Sequence, residues 1–396
     1  MNVTNRVMQI DLDIMCYGDG DGYDYDDLKD YIHTRLEGSG ANVIYVQVFS
    51  EDFASIASDR DRMADYLLFD PGHSLGANVM NAHIFTVAVK IIRELLPESR
   101  ILVWAPSIYN AFLMSGNTVV KATEQAEDEN CVWYRRASPF NELTHSRLST
   151  FFEALGQASD ALDGVMFQDD LLLSNWEDVS DKGVECLVSR YGLTRTDDDT
   201  LHSLLDDDDD ASNQDWRRYK THVLDDLSRE MFAAFSRGYQ SAFPERFAAR
   251  EQNESTRLLC ARDYYDAAVL YRDAVTGEWY AQNLDTALDL YDHVVVMSYF
   301  NMSENGDPAS QAALAWLQNL AKTAIAIADS DGRQRSSKLV FKLQSVCWSY
   351  YSNGDDYTIP AAVLQQQAQA LISVGAKGIG FYPALQDEAH FDMSAL

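Results

Sequence analysis

The sequence predicts a (β/α)8 barrel of the TIM type with loop insertions. Eight short apolar, β-branched runs recur along the 396 residues, and segments of helical length lie between most of them. Strands that alternate with helices form βαβ units and a parallel sheet. Eight such units in about 250 to 400 residues are typical of a closed barrel. A doubly wound sheet is the alternative, but no Gly-x-Gly-x-x-Gly follows the first run, which weakens a dinucleotide-binding interpretation.

The candidate strands are continuous apolar runs, as expected of strands that a parallel sheet buries on both faces. In chain order they are residues 6–10, 43–48, 101–104, 165–167, 258–260, 294–297, 339–343 and 378–381. The helical candidates span residues 24–37, 79–96, 145–161, 216–242, 308–328 and 360–374, with a shorter one at 279–291.

One long insertion interrupts this alternation. We expect a single barrel domain over residues 1–396, with an acidic loop insertion at about 175–213. The insertion contains the blocks Asp197–Asp199 and Asp206–Asp210, and like charges at this density repel one another and favour a solvated loop. A second acidic stretch, residues 17–24, resembles a calcium loop but lacks the glutamate that such loops require.

Composition excludes several classes of partner. Asp and Glu number 62 against 31 Lys and Arg, a formal net charge of -31 that repels nucleic acid and anionic membranes and attracts polycations. The His residues form no His-x-x-x-His or His-Glu-x-x-His pair and the Cys residues no Cys-x-x-Cys, so neither a metal nor a cofactor is expected. The sequence contains no transmembrane run of 18 apolar residues and no leader typical of a signal peptide.

Two adjacent carboxylates follow the fourth candidate strand. Active-site groups of a barrel lie just past the carboxyl ends of its strands, where Asp169 and Asp170 follow Val165–Phe167. Acids beside a core are costly unless they are used, and glycosidic bond hydrolysis needs a carboxyl pair. We predict Asp170 as the general acid, because repulsion from Asp169 would raise its pKa. Its partner would be Asp11, Asp13 or Asp169.

The other strand ends are rich in acids, amides and aromatic residues. This mixture suits carbohydrate, because aromatic faces stack on sugar rings while polar groups bind hydroxyls. The predicted substrate-binding residues are Asp13, Trp104, Arg262, Asp263, Tyr299, Gln344, Trp348 and Tyr382.

Several of these segments resemble the glycoside hydrolase domain of PgaB-type biofilm proteins. The resemblance rests on Arg6–Asp13 and Phe167–Ser174, and further on residues 43–47, 138–140, 279–283 and 378–383. It implies a barrel that acts as an endo-glycosidase on partially deacetylated poly-β-1,6-N-acetyl-D-glucosamine, whose free amines suit an acidic cleft. It also implies a periplasmic or secreted location and export-machinery partners. The deacetylase domain of that family is not expected here, since its His-x-x-x-His motif is missing.

Two departures from the family pattern keep an alternative open. Asn175 stands where relatives carry an aspartate, and Lys342 stands where they carry an acid. The alternative is a non-catalytic barrel that binds the polysaccharide and guides it during export. An amylase-like or chitinase-like barrel is a third possibility, although the chitinase pattern Asp-x-x-Asp-x-Asp-x-Glu is absent.

Overall fold

The computed structural model describes residues 3–16, 24–52, 62–128, 134–207, 210–270, 279–304, 306–347, 357–384 and 393–396. Eight parallel strands form a closed barrel in which each strand pairs with the next along the chain, and the last pairs with the first. The predicted fold class is therefore confirmed. The strands are β1 Asn5–Ile10, β2 Val43–Gln47, β3 Arg100–Ala105, β4 Gly164–Phe167, β5 Leu259–Tyr265, β6 His293–Ser298, β7 Leu339–Gln344 and β8 Gly378–Tyr382.

Helices surround the barrel. All six long predicted helices are present, with ends that differ by a few residues. The longer helices are α1 Tyr25–Leu36, α2 Ile84–Leu95, α3 Glu142–Gln157, α4 Asp181–Tyr191, α5 Asp198–Asp206, α6 Ala211–Ala242, α7 Pro244–Glu251, α8 Leu284–Leu290, α9 Gln311–Ala328 and α10 Ala361–Ser373. None of the described helices is long and apolar enough to cross a membrane.

Helices α3 and α6 pack against each other through glycines. A β-carbon on Gly156 would lie 2.1 Å from the carbonyl oxygen of Phe235, and one on Gly238 would lie 2.0 Å from that of Glu153. Only a residue without a side chain fits at either position. This contact seats the 32-residue helix α6 against the barrel, where it reaches the loop that follows β4.

The prediction of an irregular acidic insertion is wrong. Helices α4 and α5 occupy most of it, and with α6 they bury a small core of their own around Leu187, Leu205 and Trp216. Acidic residues of the two blocks cap helices: Asp197 accepts a hydrogen bond from the backbone amide of Thr200, and Asp210 caps α6 in the same way. Aspartate at a helix N-cap satisfies free amides and complements the helix dipole, so the acids begin helices here.

The barrel interior changes in character along its axis. Apolar side chains fill most of it, among them Val7, Val43, Met166 and Val295. Towards the carboxyl ends of the strands the inward residues become polar and remain buried: Gln9, Gln47, Gln168, Asp263, Lys342 and Gln344. This polar layer forms the floor of the open end of the barrel, called the mouth below.

Candidate active site

Asp169 lies at the mouth, two residues past the end of β4. It is partly exposed, and its Oδ2 accepts hydrogen bonds from two phenolic hydroxyls, those of Tyr265 at 2.8 Å and Tyr134 at 3.2 Å. Tyr265 comes from the end of β5, and Tyr134 comes from the segment that follows β3. Two neutral donors on one oxygen fix the orientation of the carboxylate.

Asp170 points away from the mouth, which corrects its prediction as the general acid. Its side chain is fully buried and accepts hydrogen bonds from the backbone amides of Ser107 at 3.0 Å and Tyr109 at 3.1 Å. Burial raises the pKa of Asp170 to about 7, and repulsion from Asp169 contributes less. Asp170 therefore holds the loop that follows β3, and Asp169 is the member of the pair that faces the mouth.

Asp11 and Asp13 stand at another part of the mouth, past the end of β1, which β2 and β3 separate from β4. Both are partly exposed at the surface of the mouth. Burial, followed by repulsion from Asp13, raises the pKa of Asp11 well above its ordinary value, and burial raises the pKa of Asp13. The turn that carries them is held by Gln47, whose Oε1 accepts from the amides of Leu12 at 2.8 Å and Asp13 at 3.0 Å.

An ion pair spans the floor of the mouth. The Nζ of Lys342 donates to Asp263 Oδ2 at 2.6 Å and to Gln9 Oε1 at 3.2 Å, and all three residues are buried. Burial raises the pKa of Asp263 to about 7 although Lys342 opposes the shift. Lys342 was not among the predicted site residues, and a lysine in the middle of an otherwise apolar strand was the signal that marks it.

Aromatic residues line the floor as a packed cluster. Trp104 meets Tyr382 edge to face with ring centroids 5.4 Å apart, and the Nζ of Lys342 lies 5.4 Å from the Tyr382 ring and 5.9 Å from the Tyr299 ring. Trp104 and Tyr299 are each 5% exposed, so little of either ring is available as a stacking surface. Trp348 lies outside the described residues.

Several buried polar atoms around the mouth lack a hydrogen-bond partner among the described residues. Three are donors and three are acceptors: Gln9 Nε2, Trp104 Nε1, Gln344 Nε2, Asp11 Oδ1, Gln168 Oε1 and Asp263 Oδ1. Buried polar groups of folded proteins are nearly all paired. A ligand rich in hydroxyl groups, each of which both donates and accepts, would satisfy both kinds of atom.

Arg262 does not contribute to the mouth, which corrects its prediction as a substrate-binding residue. Side chains alternate between the two faces of a strand, so Arg262 points outward where its neighbour Asp263 points inward. Its guanidinium is fully buried, donates to the carbonyl of Leu171 at 2.5 Å and pairs with Asp225 of α6 at 3.2 Å. It joins β5 to the loop after β4 and to α6.

Asn175 and Glu177 also serve the loop after β4. Glu177 is fully buried, pairs with Arg136 at 2.6 Å and accepts from the amide of Ser174 at 2.8 Å. Lys220 of α6 donates to the backbone carbonyl of Asn175 at 3.1 Å. Asn175 itself is 2% exposed, and its Oδ1 makes no hydrogen bond among the described residues.

Sequence reasoning missed other residues of the mouth. Tyr265 follows Asp263 by two positions, and the alternation along β5 would have placed it on the same inward face. Glu51 is buried, pairs with Arg62 at 2.9 Å and accepts from the hydroxyl of Tyr109 at 3.2 Å. Tyr134 and Glu51 lie in irregular segments, where no periodicity marks them. Among the described residues no cluster of three His, Cys, Asp or Glu side chains is placed to hold a metal ion.

Residues 9–382 match the family described as hypothetical glycosyl hydrolase family 13, GHL13, over nearly the whole chain. The chain belongs to this family. It is therefore a glycoside hydrolase, and the mouth with Asp169 is its candidate active site.

Curated proteins also match the chain. The chain is 25% identical over 383 residues to the poly-β-1,6-N-acetyl-D-glucosamine N-deacetylase of Escherichia coli strain K12. That match takes in 96% of this chain and 49% of the relative, so the chain spans about half the length of the curated relatives it matches.

Two solved structures share the fold. The PgaB (BpsB) glycoside hydrolase domain of Bordetella bronchiseptica superimposes with a TM-score of 0.73 and 24% identity, over 96% of this chain and 94% of that one. The resemblance to PgaB-type domains is thus confirmed. A β-galactosidase from the psychrophilic Marinomonas ef1 matches with a TM-score of 0.52 and 10% identity, over 99% of this chain and 58% of that one.

Proposed function

We propose that this glycoside hydrolase cleaves partially deacetylated poly-β-1,6-N-acetyl-D-glucosamine at internal bonds, by carboxylate acid/base catalysis at the mouth. The observation that carries the proposal is Asp169, an acid at the carboxyl end of a barrel strand that two phenols orient towards an open site. The substrate follows from the E. coli relative, whose name specifies this polymer.

The charge of the mouth supports a substrate that carries amines. Carboxyl groups outnumber cations among the described residues there. The acids are Asp11, Asp13, Glu51, Asp169 and Asp263, and the cations are Arg35, Arg62 and Lys342. Each deacetylated glucosamine unit carries an ammonium group, which such a site attracts and concentrates. The net charge of -31 over the whole chain acts in the same direction.

Two carboxyl groups with different environments would divide the chemistry. Asp11 opens to the mouth, and burial raises its pKa well above its ordinary value, the direction that favours a carboxyl group that donates a proton to the leaving oxygen. Asp169 would stabilise the positive charge that develops on the sugar ring, directly or as the nucleophile. Asp263, held by Lys342, would bind the sugar from the floor through its second oxygen.

Product analysis tests this proposal. The purified protein is incubated with partially deacetylated β-1,6-glucosamine oligomers, with the fully acetylated oligomers, with chitin oligomers and with an α-glucan, and the products are identified by mass spectrometry. We expect internal cleavage of the partially deacetylated oligomers alone. Cleavage of chitin or α-glucan instead would assign the site to another polysaccharide.

A non-catalytic barrel that guides the polymer is the second candidate. Lys342 favours it, because an ammonium group 2.6 Å from Asp263 neutralises one of the acids that hydrolysis could use. Uncut oligomers together with saturable binding in the same experiment would support this function. Either function places the protein where the polymer is exported, in the periplasm or outside the cell and near export-machinery proteins.

A further inference from the structure

A second cavity, of about 590 Å³, lies at the opposite end of the barrel from the mouth. It is bordered by the end of α2, the first residue of β3, the residue before β4, and α7 with the turn that follows it. Four arginines line it, Arg93, Arg100, Arg246 and Arg250, together with two acids, Asp163 and Glu98. In a chain with a net charge of -31, such a concentration of cations is unusual.

Three of these guanidinium groups converge on one carboxylate. Asp163 meets Arg93 at 2.6 Å, Arg250 at 2.6 Å and Arg100 at 3.6 Å. Asp163 is buried and the three arginine side chains are between 14% and 28% exposed, so solvent screens the group poorly. One negative charge does not neutralise three positive charges, and Arg246 is already paired with Asp160 at 3.0 Å.

Backbone carbonyls take up some of the remaining donors. Arg93 donates to the carbonyls of Pro97 at 2.8 Å and Ser99 at 2.6 Å, and Arg100 donates to Ser255 at 2.6 Å. A carbonyl satisfies a hydrogen bond, but it is a dipole and leaves the net charge in place. The neighbouring pair Arg257 and Asp292 is balanced within itself.

The surroundings of Arg100 show the effect of this clustering of positive charge. The Nε of Arg100 is buried, forms no hydrogen bond among the described residues, and lies 3.6 Å from Asp163 Oδ1. Burial lowers the pKa of Arg100, and repulsion from Arg250 and Arg257 lowers it further against the attraction of Asp163 and Asp292. The four arginines of the lining therefore outnumber its two acids, Asp163 and Glu98.

We propose that this cavity binds a small oxyanion of the phosphate or sulfate class. Planar guanidinium groups match the paired oxygens of such an anion, and their charge-assisted hydrogen bonds are strong. The cavity is large enough for the ion with part of its hydration shell. At the amino end of the strands, far from the mouth, the anion would tie α2, α7 and the starts of β3 and β4 together. Its effect would be on stability, as expected for that face of a barrel.

Isothermal titration with inorganic phosphate tests the site, against sodium chloride at the same ionic strength. We expect saturable one-to-one binding of phosphate by the wild-type protein and no comparable heat with chloride. Arg250→Met should weaken binding by about tenfold or more, the loss expected for one charge-assisted hydrogen bond. Arg250→Lys keeps the charge and should bind with intermediate affinity. Arg333→Met removes an exposed, paired arginine elsewhere and should bind like the wild type.

Two further measurements secure the result. If Arg250→Met does not fold, as judged by circular dichroism, low millimolar phosphate must still raise the melting temperature of the wild type more than chloride does. Glycerol phosphate in a parallel titration separates the two sources of the anion: tighter binding than inorganic phosphate assigns the site to phosphate esters, and weaker binding to the free ion. Absence of saturable phosphate binding by the wild type, or unchanged affinity in a folded Arg250→Met, would overturn the proposal.

Discussion

Two aspartates stand at opposite ends of the same strand, β4, and their surroundings differ in kind. Asp163 precedes the strand; two arginines at 2.6 Å and the amide of Ile101 at 2.8 Å hold it. Asp169 follows the strand and accepts from two tyrosine hydroxyls, and no ion pair with it is found in the described part of the chain. An acid surrounded by cations stabilises the fold. An acid held by neutral donors at an open site remains available for chemistry.

The largest expected effect comes from the acid at the mouth. Asp169→Asn keeps the shape and both tyrosine contacts but removes the charge, so we expect kcat to fall by about 10³-fold or more. The melting temperature should change little, since no cation is left unpaired. Initial rates of oligomer cleavage and thermal unfolding of the same preparation measure the two quantities. Cleavage at the wild-type rate would exclude Asp169 from catalysis.

The matched change at the other end of β4 should reverse this outcome. Asp163→Asn leaves three partly buried guanidinium groups without their carboxylate, which costs about 3 kcal/mol of unfolding free energy. The rate of cleavage should stay near that of the wild type while the protein is folded. Urea unfolding followed by tryptophan fluorescence measures the stability. A folded Asp163→Asn that has lost activity but not stability would contradict the assignment of Asp163 to stability and Asp169 to catalysis.

Asp170 sharpens the comparison, because it is adjacent to Asp169 yet buried. Its pKa is about 7 in the folded protein against an ordinary 3.8. Because the pKa of Asp170 is higher in the folded state, the folded protein binds a proton here that the unfolded chain has already released. The stability that Asp170 contributes is therefore present below about pH 4 and is lost as pH rises towards 7. Asp170→Asn cannot ionise, so its unfolding free energy should fall less than that of the wild type over this interval, by up to about 4 kcal/mol.

Urea unfolding of both proteins at several values between pH 4 and 7 measures this difference. The pKa of Asp263 is also raised to about 7, so Asp263 contributes a similar pH dependence. That contribution should remain unchanged in Asp170→Asn and serves as the internal control. Parallel curves for the wild type and Asp170→Asn would mean that the Asp170 carboxyl does not titrate in this range.

The smallest effect concerns the donors that orient Asp169. Tyr265→Phe removes a hydrogen bond of 2.8 Å and should lower kcat about 5- to 10-fold, the value of one such contact. Tyr264→Phe is the control, because the neighbouring tyrosine points outward, where its hydroxyl accepts from Arg262 at 3.3 Å. Equal losses of kcat in the two variants would show that the phenol of Tyr265 does not position Asp169.

Much of the barrel was predictable, because buried parallel strands are apolar on both faces and are recognisable as short runs. β5 shows where this signal ends. Its prediction stopped at Cys260, whereas the strand continues to Tyr265 through Arg262 and Asp263. Charged residues there are buried because Asp225 and Lys342 compensate them across the fold. The helices of the acidic insertion were missed for a related reason: their aspartates act as caps, and a local count of like charges does not reveal a cap.

The sequence by itself determined the class of fold and the place of the site. Alternating apolar runs and helices specify the barrel, and an acid pair after the fourth strand marks its active end. Only the tertiary structure decided which acid of the pair faces the mouth. Consecutive residues in a loop point in directions that the chain trace and its neighbours impose: the amides of Ser107 and Tyr109 draw Asp170 inward, and the hydroxyls of Tyr134 and Tyr265 keep Asp169 at the mouth. These partners are distant in sequence, so no local pattern encodes the choice.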